Sequence, residues 1–159
     1  MNMFDLLTTY FWVVAIILTS VNVASFKRRS RVQVQEKPEL EHGYATLFRR
    51  YLIFLNLPWV VMGIGCTIGG VPSLLHYFRP TDGNPYVLAW FASIFLLWIT
   101  GTYWLFMRDG AEMLFNHPGA FIKTSSPTGV KIFWLLCLAS GVFGVVLMLT
   151  FDVPLPLYR

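Results

Sequence analysis

The chain has 159 residues, 56% of them hydrophobic and only 13% charged, with a formal net charge of +4. Ordinary soluble domains are about a quarter charged, and a soluble fold of this length has too little interior to hide so much apolar surface, so a bilayer is the matching solvent. The basic residues lie in short segments between apolar runs and form no concentrated patch, so no nucleic acid is expected as a partner.

The first apolar run, FDLLTTYFWVVAIILTSVNVASF at 4–26, is long enough to cross ~30 Å of hydrocarbon as a helix. Its positive charges follow it and none precede it, so it reads as an uncleaved anchor, not a signal peptide. The polar stretch KRRSRVQVQEKPELEHGY comes next. A mobile connection over 27–48 is expected there, with little room for a core. A second run covers 51–75, a third 86–107 and a fourth 132–151. Between the second and third, HYFRPTDGNP is a turn, with Asp82-Gly83 and Pro85 as breakers, and it makes those spans an antiparallel hairpin. The runs are continuous, which excludes the alternating strands of a barrel. The expected fold is all-α and a single domain: a polytopic integral membrane protein whose four transmembrane helices form an up-down bundle, with short interfacial helices.

Orientation follows from the basic residues. Lys27, Arg28, Arg29, Arg31, Lys37, Arg49 and Arg50 lie between the first and second spans, and Arg108, Lys123 and Lys131 between the third and fourth. Only Arg79 and Arg159 lie on the other side. Both long connections are therefore expected in the cytoplasm and both termini outside, in a cell membrane of the bacterial cytoplasmic type.

No Asp, Glu, Lys, Arg or His falls in the middle of a span, which counts against a pump, a proton-coupled carrier or a voltage sensor. His42, His76 and His117 are too dispersed to bind one haem between them. Cys66 and Cys137 lie inside apolar runs with no CxxC or Cys/His spacing, so no metal and no cofactor is expected. In the second span Gly63, Thr67 and Gly70 share one face. Gly141 and Gly144 form a small patch in the fourth, beside Ser140. Small residues at this spacing let helices approach closely, within the bundle or against a partner. Pro58 removes a backbone donor and predicts a kink. Asn22, Asn56, Thr100 and Thr102 sit at similar depth, so a hydrogen-bonded polar layer is expected in the inner half of the bundle. Trp90, Trp104 and Trp134, with Tyr86 and Tyr103, are placed in an aromatic belt.

The densest polar cluster is YWLFMRDGAEMLFNHPGAF at 103–121. Arg108 is expected to reach phosphates, and Asp109 to cap a short helix with Glu112 as its reciprocal partner. Ala111, Leu114 and Phe115 are expected to face the membrane, and Pro118-Gly119 to end the helix. The segment 108–123 thus reads as an interfacial anchor. Arg108, Asp109, Glu112 and His117 make an interfacial patch, and its catalytic reading needs Asp109, Glu112 and His117 to act as an acid, base or metal set, but the five-residue step from Glu112 to His117 is not a same-face spacing.

With nearly all its mass in the membrane, the chain is expected to be an accessory subunit or assembly factor packing against a larger membrane protein complex, through the second span with its glycines and the 108–119 segment. The alternatives are a membrane enzyme or redox protein at the cytoplasmic interface and a small oligomeric carrier or channel. The expected partners are the lipid bilayer and a larger complex or a homo-oligomer.

Overall fold

The computed structural model describes residues 3–120 and 124–151, and the described chain is a helical bundle without strands. The helices are α1 (Met3–Thr9), α2 (Phe11–Glu36), α3 (Glu41–Thr67), α4 (Pro85–Met107), α5 (Gly110–Asn116) and α6 (Pro127–Thr150). Four of them, α2, α3 (counted with the 3-10 turn that leads into it), α4 and α6, are long and apolar enough to cross a membrane. The all-α bundle read from the sequence is the fold. Several of its boundaries differ.

The first run does not form one helix over 4–26. Tyr10 leaves helical geometry with φ −105° and ψ 16°, separating α1 from α2. Thr9 Oγ1 then donates to Pro72 O at 3.3 Å, tying α1 to the segment that follows α3. The segment expected as a connection over 27–48 is mostly helix. α2 continues to Glu36 and α3 begins at Glu41, with a 3-10 turn at Pro38–Leu40 between them. Pro38 explains the sharp reversal, because a proline disfavours α geometry at the residue before it, and Lys37 takes φ −138° and ψ 83°. Core forms where little was expected. Phe26 of α2 and Tyr44 and Leu47 of α3 are buried together, since the tight reversal sets the two helix extensions side by side.

α3 passes unbroken through Pro58 and ends at Thr67, short of the expected 51–75. Gly70 adopts φ +64°, a left-handed conformation that glycine takes without penalty. Val71 N–H bonds back to Gly65 O at 3.0 Å, which closes the end of the helix. The chain then crosses to α4 through 3-10 turns at Leu74–Phe78 and Pro80–Asp82. Asn84 caps α4 by accepting from Tyr86 N–H at 2.9 Å, with Pro85 at the first helical position where its missing donor costs nothing. Ser126 caps α6 by accepting from Gly129 N–H at 3.2 Å.

Two cores result. At the turn end, Met62, Val71, Tyr77, Val87 and Phe91 pack together. At the opposite end, which carries most of the basic residues and is called the basic end below, Phe26, Tyr44, Leu47, Leu105, Ala111, Leu114, Ala120 and Val130 do so.

Candidate functional site

The basic end is built around the docking of α5. After Met107 the chain reverses at Asp109, which takes φ +52° and holds no helix N–H with its side chain, while its carbonyl accepts from Met113 N–H at 2.9 Å. The expected Asp109–Glu112 capping box is therefore absent. Glu112 instead pairs with Lys131 of α6, Oε1 to Nζ at 3.6 Å. Gly110 permits the reversal: a Cβ there would stand 2.6 Å from the Trp104 ring. α5 thus folds directly back on α4, and Ala111 and Leu114, expected to face the membrane, point into the core. Phe115 remains exposed.

The segment after α5 is held by side chains of α3. His117 is buried, and its Nδ1–H donates to Met113 O at 2.6 Å. A carbonyl can only accept, so this nitrogen carries a proton. The ring meets Tyr44 edge-on, with centroids 4.8 Å apart. Its Nε2 has no hydrogen-bond partner among the described residues and lies against Gly43, where a Cβ would be only 1.9 Å away. Tyr44 Oη donates to Pro118 O at 2.9 Å, and Tyr51 Oη donates to Ala120 O. Gly43, Tyr44 and Tyr51 carried no sequence signal because they lie within helix α3 and act on a segment about 70 positions away. Phe121, Ile122 and Lys123, the rest of the expected interfacial segment, lie outside the described residues.

This docking leaves space. An apolar cavity of about 330 Å³ opens between α3, α4, α5 and α6, walled by Tyr51, Phe54, Gly101, Trp104, Leu114 and Trp134. That is at the lower end of the 300–1,000 Å³ typical of ligand pockets. Gly101 makes room for it, since a Cβ there would meet the Trp134 ring at 2.8 Å. Arg50 stands at its rim with its guanidinium carbon 4.7 Å from the centroid of the Trp104 ring, a cation–π arrangement. Trp104 and Trp134, read from the sequence as belt residues, are thus also the walls of a cavity.

The four residues of the expected polar layer do not meet. Thr19 of α2 donates to Asn56 Oδ1 at 2.6 Å, joining α2 to α3. Trp134 Nε1–H donates to Thr102 Oγ1 at 2.9 Å, joining α6 to α4. Thr100 bonds back to Leu96 O at 2.7 Å on its own helix. Asn22 lines a separate space with Arg29, Tyr51 and Gly119. A polar layer requires a shared azimuth as well as a shared depth, and position along a run does not set azimuth.

The small residues divide likewise. Gly63 lies against Trp12, where a Cβ would come within 2.7 Å of the ring, and Thr67 bonds back to Gly63 O at 2.7 Å. Gly141 takes Trp98 in the same way at 2.5 Å. Gly70, beyond the end of α3, belongs to no helix face. Gly144 is different. Every other helical glycine has a side chain within 3.4 Å of its Cβ position, whereas Gly144 has nothing within 4 Å. It lies on α6, whose most apolar eighteen-residue stretch contains no buried residue. The exposed Cys137 and Ser140 precede it at helical spacing on the same face.

Three residues of the interfacial patch are engaged elsewhere. Glu112 pairs with Lys131, His117 bonds to Met113 O, and Arg108 Nε–H donates to Tyr103 Oη at 3.2 Å. No group of three or more His, Cys, Asp and Glu among the described residues could hold a metal ion. Comparison with protein-family models, with curated proteins and with solved structures finds no match for this chain.

Proposed function

We propose that the chain is an accessory subunit of a larger membrane protein complex and docks on it through α6. The observation that carries this reading is Gly144. In membranes, small residues gather where helix backbones approach closely, because there is little hydrophobic force between helices and packing must supply the attraction. Seven of the eight helical glycines already have a side chain of this chain against them, and three of these, Gly63, Gly101 and Gly141, receive a tryptophan from another long helix. The eighth, Gly144, is half-buried beside the exposed Cys137 and Ser140, and no described side chain comes within 4 Å of its Cβ position. The adjoining face of α6 is spent on the bundle, with Trp134 bonded to Thr102, Gly141 against Trp98, and Val145 and Met148 against the turn-end core.

Mild-detergent purification of tagged protein from its native membrane tests the reading. The expected result is a stoichiometric larger membrane protein that is lost on Gly144→Leu, while insertion, yield and helix content stay unchanged. A chain recovered alone or only with copies of itself overturns it, and so does a partner retained equally by the variant.

A further inference from the structure

A second space adjoins the apolar cavity at the basic end. It measures about 510 Å³ and is lined by Arg50, Thr100, Tyr103, Trp104, Arg108 and Met113, with no carboxylate among them. Arg50 and Trp104 belong to both spaces. Each guanidinium rests on an aromatic face: Arg50 over Trp104 at 4.7 Å, and Arg108 over Tyr103 at 5.7 Å with its Nε bound to the phenol oxygen. Stacking fixes the Arg50 guanidinium plane and leaves its edge donors for a phosphate, while Arg108, held through Nε, presents its two Nη groups.

Depth agrees with the chemistry. Arg50 is seventeen residues before the end of α3, and Arg108 lies twenty-three residues beyond the start of α4. At 1.5 Å per residue these are about 26 Å and about 34 Å from the turn end, which straddles the boundary of a ~30 Å hydrocarbon layer. A group held between them has its anionic part at headgroup depth, beside an apolar cavity at acyl-chain depth.

We propose that this paired cleft and cavity is a binding site for one anionic glycerophospholipid, its phosphate held by Arg50 and Arg108 and a segment of one chain in the cavity walled by Phe54, Trp104 and Trp134. Charge complementarity selects this occupant: two fixed cations with no lining carboxylate favour an anionic headgroup over a zwitterionic one of the same chain length. The site is separate from the open face of α6 and stands independently of the accessory reading.

The test is native mass spectrometry of the delipidated full chain titrated with phosphatidylglycerol, with phosphatidylcholine of identical chains, and with chain-free glycerophosphate. Phosphatidylglycerol is expected to bind at one site per chain, more tightly than phosphatidylcholine, and glycerophosphate not at all at the same concentrations. Both arginines are exposed, so Arg50→Gln and Arg108→Gln leave the fold in place. Each is expected to weaken phosphatidylglycerol about tenfold, the usual scale for one charge-assisted hydrogen-bonded contact. The charge-matched control Arg28→Gln is expected to bind as the parent does. Equal binding of the two lipids, equal weakening by the control, or glycerophosphate binding as well as the lipid would each overturn the proposal.

Discussion

The two ends of the bundle are closed in different ways. At the turn end the closing residue is local: Tyr77 lies under α3, only ten positions past its last residue, and donates to Met62 O at 3.0 Å. Gly65 and Gly69 make the space, so that Tyr77 and Tyr86 fill what a side chain would otherwise occupy. At the basic end the closing segment is remote. Residues 117–120 come from beyond α5 and are held by Tyr44 and Tyr51 through bonds to backbone carbonyls. Closure by adjacent chain gives a filled core, whereas closure by a docked segment leaves the aromatic cavity and the arginine cleft beside it. The difference places binding capacity at the basic end.

The sharpest way to break that comparison is Gly43→Val, which drives a side chain into the His117 ring. The expected cost is about 3 kcal/mol of overpacking, read as a lower thermal midpoint in detergent. Proteolysis after α5 should rise while the turn end stays protected. Loss of protection at both ends together would show that the two cores do not act separately. Next in size is Tyr44→Phe, which removes the bond to Pro118 O and should cost about 1 kcal/mol. Tyr77→Phe removes a bond of similar length at the turn end, yet should leave proteolysis after α5 unchanged.

Smaller still is Asn56→Leu. Its partner Thr19 has one hydroxyl proton and a second acceptor at hand, Ala15 O at 2.8 Å, so the expected cost is about 0.6 kcal/mol in thermal unfolding. A cost above about 2 kcal/mol would mean that Asn56 anchors a wider polar network. Smallest is Glu112→Gln. The Lys131 pair is partly exposed, and its loss should shift stability by less than about 0.5 kcal/mol, fading further as salt is raised.

Much of this fold is legible in composition and run length. Four apolar stretches longer than a bilayer needs announce four helices, and Asn84-Pro85 and Ser126-Pro127 announce where two of them start. What resisted reading shares one cause: it depends on which way a helix faces. Ala111 and Leu114 have the spacing of a single apolar face, and spacing alone does not separate a face toward lipid from one toward protein; the glycine reversal at Gly110 decides it. The polar layer depends on facing too: Asn56 accepts from Thr19, while Asn22 lines a different space with Arg29 and Tyr51. The connection over 27–48 was misread because its charges mask Phe26, Tyr44 and Leu47, which bury themselves only once α2 and α3 lie side by side. Among the small residues, Gly63, Gly141 and Gly144 look alike in sequence. Only the position of Trp12 and Trp98 separates the two that are filled from the one that is open.

That open glycine carries the functional account, and the environment of α6 in the native membrane tests it most directly. A photoreactive residue at position 140, next to Gly144 on the uncovered face, reports what lies there. The account predicts a protein adduct to one larger membrane protein, abolished by Gly144→Leu. Adducts to lipid alone, or to a second copy of the chain, would contradict it.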